Sequence, residues 1–444
     1  MTSDRVVLYF AGALPSRSET FIYREIFALR DAGLRVFAVT LRPSQNEFAD
    51  QRIHRLKQET RVVYSGGPFH FIRDAVRFAI GRPAAAARAL ALCARDLLTG
   101  RGITPRDRAK LPVQALAALA VAQRVPADEI AHVHAHFAHA PATTAMYFAT
   151  ALQIPFSFTG HANDIFERRS LLAAKLRRAA FVACISSWHR DFYRRLVDRS
   201  DAEMPVIRCG VDLAASVPPP EQRSGVLAVG RLVEKKGFDT LIEAVAYVRS
   251  EGRNVPVSII GDGPDAAMLR RLAASRGVDD LFRFRGAAEH TDVIKACHAA
   301  SIFCLPCKVD RRGDRDGIPV VLMEAMAAGC CAIAGDHPAI RELITDGCTG
   351  RLVPPGDAAS LAKAINRLLE QPEEASALAQ AGRAFVAKEF STPVNIARLI
   401  NAFNWTLGAD RLIGGVPVRA ASCDEDASII QEHADCGIKR SCTA

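Results

Sequence analysis

The chain has 444 residues (48.0 kDa) and is 49% apolar and 24% charged, a globular balance that excludes extended disorder and, at this length, implies two domains of roughly 200 residues each. A net charge of +9 and a pI near 9.1 point to phosphate-bearing ligands or an anionic lipid surface. Zinc-finger spacing and an aromatic RNA-binding signature are both missing, which excludes nucleic acid as a partner.

The twelve cysteines are scattered through apolar segments and read as buried free thiols, not as a disulfide framework. The first apolar run, residues 6–10, is too short for a secretory leader. No stretch reaches the roughly 18 apolar residues of a spanning helix, so a cytoplasmic protein is expected.

Residues 5–10 predict a buried strand. Ser16 and Glu19 have the spacing of a capping box, a helix follows from about 19 to a stop at Gly33, and 34–41 form the next strand. The segment from 71 to about 110 is helical and carries Arg73, Arg77, Arg82, Arg88, Arg95, Arg101, Arg106 and Arg108. A solvated amphipathic pair and a cationic face resting on anionic lipid at the inner membrane both fit it. Strands are predicted at 130–136, 155–159 and 181–185, with 206–208 ending the first sheet. Residues 216–224, with Pro218, Pro219 and Pro220, form a linker able to act as a hinge.

A second series begins there. Strands at 226–229, 256–260, 282–285, 302–305 and 331–334 alternate with helices, two of them at 238–250 and 265–276. Two doubly wound α/β domains follow, residues 1–215 and 225–390, with a terminal helix over 391–408 and a poorly ordered tail over 409–444. In such sheets ligands bind at the carboxyl ends of the strands.

Three constellations lie at those ends. Gly230, Arg231, Lys236 and Gly237 follow a strand and open a helix, where backbone approach and positive charge suit a diphosphate. Asp316, Gly317, Ile318, Pro319, Val320 and Glu324 place two acids eight residues apart around a helix start. A carboxylate such as Glu324 among apolar neighbours needs a hydrogen-bond partner, and a ribose diol supplies one. His161 follows a strand within Thr159-Gly160-His161-Ala162-Asn163-Asp164 and can bond a sugar hydroxyl or phosphate.

Other patterns are weaker. His132, His134 and His136 share one strand face, with His139 just beyond; a zinc cluster competes there with a buried strand whose last histidine reaches the cleft. Cys304 and Cys307 form C-x-x-C without partners. Asp314-Arg315-Asp316 matches the D-x-D that some sugar transferases use for a cation, and Gly261-Asp262-Gly263-Pro264 is an incomplete dinucleotide fingerprint.

Taken together these motifs resemble the retaining family-four glycosyltransferases of GT-B fold, in particular the exopolysaccharide and colanic-acid branch. The likeness runs to about residue 405. It is carried by Pro15-Ser16-Arg17-Ser18-Glu19-Thr20-Phe21, His134-Ala135-His136-Phe137, the segment from Phe158 through Asn163 and Ile165 to Phe166, Cys209-Gly210-Val211-Asp212, and the paired acids.

The resemblance implies a metal-independent hexosyltransferase that needs no cofactor. It takes a UDP- or GDP-sugar donor and a lipid-linked saccharide acceptor of a surface polysaccharide. Arg231 and Lys236 would clamp the diphosphate, Glu324 the ribose, and Asp316 and His161 the sugar, with Arg285 and Gly286 beside the base. Gly12, Ser16, Ser18 and His136 would line the acceptor side. The first acid of the pair is usually glutamate; here it is Asp316, one methylene shorter. The alternative is a non-catalytic nucleotide-sugar or dinucleotide-binding protein.

Overall fold

Short runs of valine, isoleucine, leucine and phenylalanine are apolar on both faces, which suits parallel strands covered by helices on each side. Most of the twelve strands are such runs in the computed structural model, which describes residues 6–407 apart from 18, 163, 165–168, 214–216, 220 and 221. Ser18, Asn163, Ile165, Phe166, part of the 216–224 linker and the 409–444 tail therefore lie outside the described residues.

The first sheet contains β1 (Val6–Leu14), β2 (Arg35–Pro43), β3 (Arg61–Val62), β4 (Ile130–His136), β5 (Phe156–Gly160) and β6 (Phe181–Cys184). Their spatial order is β3-β2-β1-β4-β5-β6, and every pairing is parallel. The second contains β7 (Val226–Val229), β8 (Val257–Ile260), β9 (Phe282–Phe284), β10 (Ile302–Leu305), β11 (Cys331–Gly335) and β12 (Arg351–Val353). Its order, β12-β11-β10-β7-β8-β9, repeats the first when the strands are renumbered from β7. Each sheet thus has a topological switch point, between β1 and β4 and between β7 and β10, where a crevice opens at the strand ends.

One face of the first sheet packs Leu8, Phe10 and Val133 against the helices of 67–152. The other packs Val7, Tyr9 and Ala11 against the helix Thr20–Asp31 and the last helix, Thr392–Leu407. The chain thus returns to the first domain at its end. It crosses beside its earlier crossing, because Val211 bridges Ser391 and donates its N–H to the Phe390 carbonyl at 2.9 Å.

Several expectations change. Strand β1 runs four residues past 10, so Gly12 lies within it. Ser16 is in the turn that follows and does not cap the helix: Glu19 holds the N-cap position, without a side-chain cap bond. The arginine-rich segment is three helices, Gly67–Gly81, Pro83–Thr99 and Pro105–Arg124, each with proline in its first turn. Residues 206–208 contribute only the single bridge from Val206 to Cys184. Pro319 is the N-cap of the helix Val320–Ala327 and not its first residue.

Candidate functional site

The second sheet's switch point gathers the charged residues of 230–237 and 314–324. After β7 the chain turns through Gly230 and Arg231 into a short helical turn, Glu234–Lys236, closed by Gly237. Gly237 has φ +72°, and a Cβ there would lie 1.9 Å from the Pro306 carbonyl oxygen. Only glycine allows this loop to rest on the chain leaving β10. That contact brings Lys236 Nζ to 2.7 Å from Asp316 Oδ2.

Lys235 Nζ is 2.7 Å from Asp314 and 3.5 Å from Asp316, and the Cys307 thiol donates to Asp316 Oδ2 at 3.3 Å. Burial pushes the Asp316 carboxyl upward, but the charges of Lys236 and Lys235 and hydrogen bonds from Lys236 and Cys307 outweigh it and hold it below the usual range. Burial likewise works against the Lys236 charge, and Asp316 more than restores it. Both groups are thus charged at neutral pH, a dipolar pair on the crevice floor. Arg231 is exposed beside them and its charge is felt at Lys236.

Glu324 is 7% exposed and lies one turn into its helix. Its Oε1 accepts from Arg24 Nη1 at 2.7 Å and lies 3.0 Å from His290 Nε2. Burial raises its pKa, and these two partners bring it below the ordinary value. Arg24 belongs to the helix Thr20–Asp31 of the first domain. Arg285 and Gly286 follow β9 at the carboxyl end of the sheet, with the Gly286 carbonyl accepting from Gly261 N–H at 2.8 Å; among the described residues no hydrogen bond or ion pair joins them to the lysine–aspartate cluster.

Across the crevice stand the ends of β1, β4 and β5. His136 ends β4, and its ring nitrogens lie 3.3 Å from His161 Nε2 and 2.9 Å from Glu25 Oε1. Tyr9 donates to the same Glu25 oxygen at 2.8 Å. His161 is packed between Phe21 and Phe137, ring centroids 4.7 and 4.5 Å away, so it is more enclosed than a sugar contact requires. Burial first, and neighbouring histidines second, keep it neutral. Its turn still faces the second domain: Ala162, Ile185 and His189 all lie within 3.7 Å of where a Cβ on Gly317 would be. Gly12 is half-buried with open space beside it, and Glu19 next to Ser16 has its carboxyl pushed up to about 7, chiefly by burial.

The histidine row does not form a free ligand set. His132 and His134 both bond Ser157 Oγ at 2.7 Å, and His134 Nε2 meets Thr159 Oγ1 at 2.9 Å. The atoms of Glu25, His134 and His136 do cluster, but the ring nitrogens of both histidines already have protein partners. Cys304 and Cys307 are buried free thiols.

Sequence reading missed the partners that come from the opposite domain. Besides Arg24 these are His189, whose Nε2 is buried without a partner, and Glu342. The Glu342 carboxylate accepts from Ser187 and Trp188 N–H at 2.8 and 2.7 Å, capping a first-domain helix, Ser187–Arg194, from the second domain. No local spacing signals any of them.

Residues 212–385 match the model of the glycosyl transferases group 1, and residues 81–215 that of glycosyltransferase family 4. The chain is 35% identical over 174 residues to the amylovoran biosynthesis glycosyltransferase of Erwinia amylovora, covering 39% of this chain and 43% of that one. It is 34% identical over 180 residues to a GDP-mannose-dependent alpha-(1-6)-phosphatidylinositol monomannoside mannosyltransferase of Mycobacterium tuberculosis, covering 40% and 46%. It is 36% identical over 164 residues to a putative colanic acid biosynthesis glycosyltransferase of Salmonella typhimurium, covering 36% and 40%. The matches span less than half of each relative's length.

Among solved structures it resembles Anabaena HepE in complex with UDP and glucose, with TM-score 0.63, 15% identity, and 91% and 100% of the two chains covered. It also resembles Staphylococcus aureus TarM, with TM-score 0.67, 12% identity, and 90% and 100% covered. These two likenesses concern the fold, which is GT-B.

Proposed function

We propose that this chain, which matches the glycosyltransferase family 4 model over residues 81–215 and the glycosyl transferases group 1 model over residues 212–385, transfers a hexose from a UDP- or GDP-sugar to a lipid-linked saccharide during surface-polysaccharide assembly. One observation carries the reading: Lys236 and Asp316 pair beside the switch point of the second sheet, and Glu324, eight residues after Asp316, is held by Arg24 of the first domain. The names of the amylovoran and colanic-acid relatives support the polysaccharide context.

The diphosphate lies on Lys236 and Arg231, the ribose on Glu324, and the sugar between Asp316 and the His161 turn. Transfer retains configuration. The bond from C1 to the diphosphate oxygen breaks, the acceptor oxygen bonds C1 on the same face, and the acceptor proton passes to the departing phosphate oxygen. Positive charge held where negative charge develops is the largest source of rate in such a site.

Metal independence is part of the proposal. Asp314 and Asp316, the D-x-D pair, each lie 2.7 Å from a lysine ammonium, so a cation would have to displace both. Release of nucleoside diphosphate from a panel of nucleotide sugars should therefore proceed in EDTA. Loss of turnover on chelation, restored by Mg²⁺ or Mn²⁺, contradicts this, and no turnover with any donor or acceptor favours the binding-protein alternative.

The acceptor's lipid calls for a membrane-facing surface, and the helix Gly67–Gly81 offers one. Phe69, Ile72, Val76 and Ile80 recur every three or four residues and are 49–76% exposed, forming one apolar stripe beside exposed Arg73 and Arg77. Anionic vesicles should pull down the protein, neutral ones should not, and Phe69→Ser with Ile80→Ser should abolish binding. Equal recovery with both vesicle types removes the lipid assignment. Among the described residues no helix is long and apolar enough to cross a membrane.

A further inference from the structure

The helix Thr20–Asp31 follows β1 at the first sheet's switch point, and its first two turns have three separate partners. Phe21 packs against His161 with the rings tilted, 4.7 Å between ring centroids. Glu25 ties down Tyr9 and His136. Between them, Arg24 reaches out of the first domain altogether and donates to Glu324 Oε1 at 2.7 Å.

Arg24 and Glu324 are enclosed, with side chains 11% and 7% exposed, so the pair is little screened by water. Arg24 Nη2 also contacts His290 Nε2, and His290 in turn meets the same Glu324 oxygen. All the contacts to Glu324 fall on Oε1. Among the described residues Oε2 has no protein hydrogen bond, and an ionised carboxylate oxygen left open in this way can accept from a ligand hydroxyl.

We propose that Arg24 is a positioning residue for the donor site: it clamps Glu324 Oε1 from across the cleft so that Oε2 faces the ribose hydroxyls. This rests on the reading that Glu324 binds the donor ribose. It adds that the donor site is complete only when the two domains are together. Because one helix carries Phe21, Arg24 and Glu25, movement of the acceptor-side floor is felt at the donor's ribose. The first domain thereby takes part in donor affinity through a residue that never touches the sugar being transferred.

A pair of this kind could also stand in the donor's way, with Arg24 occupying the place of the ribose. The two arrangements differ in sign. A positioning arginine makes donor binding tighter, whereas a competing one makes it weaker.

The test is steady-state kinetics on the full chain with Arg24→Ala, Arg24→Lys and Glu324→Gln. The proposal expects Arg24→Ala to raise the donor KM about 10-fold, with kcat within about 3-fold, equivalent to about 1.4 kcal/mol of binding. Arg24→Lys keeps a charge without the planar fork and should recover part of that loss. If Arg24→Ala does not fold, the Lys variant alone must still show the rise in KM without a matching fall in kcat. An unchanged donor KM, or a lowered one, overturns the proposal. An unchanged donor KM in Glu324→Gln contradicts instead the assignment of Glu324 to the ribose.

Discussion

Replacing Lys236 by alanine should lower the transfer rate about 100- to 1,000-fold, the usual consequence of removing one group that stabilises developing charge. The ammonium sits at the carboxyl end of β7, held 2.7 Å from Asp316 by a loop that only Gly237 allows to approach Pro306. Burial works against its charge, and Asp316 more than restores it, so a full positive charge waits in a partly dry crevice for the leaving diphosphate.

Breaking a buried pair usually also destabilises the fold, because the orphaned charge stays behind. Here Asp316 retains Lys235 at 3.5 Å and the Cys307 thiol at 3.3 Å, so the variant should still fold. Circular dichroism and the thermal midpoint check the fold, and release of nucleoside diphosphate checks the rate. Turnover within a few-fold of the parent would show that Lys236 does not carry the departing charge.

The first domain should lose stability as pH falls from about 6.5. Burial drives His132 and His189 down to about 3 and holds His134 and His161 well below 6.5. Below 6.5 the unfolded chain binds protons on these four that the folded chain refuses, each worth about 1.4 kcal/mol per pH unit. Two groups act the other way. Burial raises Glu19 to about 7 and Asp164 to about 6, so between 6 and their unfolded values near 4 the folded chain takes up protons first.

The balance is a net uptake of about two protons on unfolding. Stability should therefore fall by about 3 kcal/mol per pH unit between pH 6 and 4.5. Denaturant unfolding at a series of pH values measures it. Replacing His132 by glutamine should flatten the slope by about 1.4 kcal/mol per unit, and a parent slope near zero would mean that these histidines are not buried neutral.

Much of this architecture could be read along the chain, for a local reason. Residues 130–136, 226–229 and 302–305 are continuous or alternating apolar runs, and they are strands with those bounds. Strands β3 and β12 have two and three residues, each beginning with arginine, and present no run to detect. Ser16 and Glu19 have capping spacing, yet β1 continues to Leu14 and leaves too little chain for Ser16 to cap the helix.

The same contrast holds at the crevice. Gly230 to Gly237 and Asp316 to Glu324 stand out because each is a compact motif at a strand end. Arg24 lies 300 residues from Glu324, and Glu25 lies 111 from His136. The first pairing depends on how two domains face one another and the second on how a helix packs across the end of its sheet, and no periodicity encodes either. The arginines of 71–110 show the limit of composition: Arg82 is spent on Asp128, and Arg88 and Arg108 on backbone carbonyls, so fewer remain for a lipid surface than a count suggests.

The most direct measurement is calorimetric titration of UDP and GDP, in EDTA, into the parent chain and into the Lys236→Ala and Glu324→Gln variants. The account predicts saturable binding of one nucleotide to the parent at one site per chain, weakened at least tenfold in both variants. Equal binding by all three proteins, or none of either nucleotide by the parent, would contradict a donor site at the second sheet's switch point.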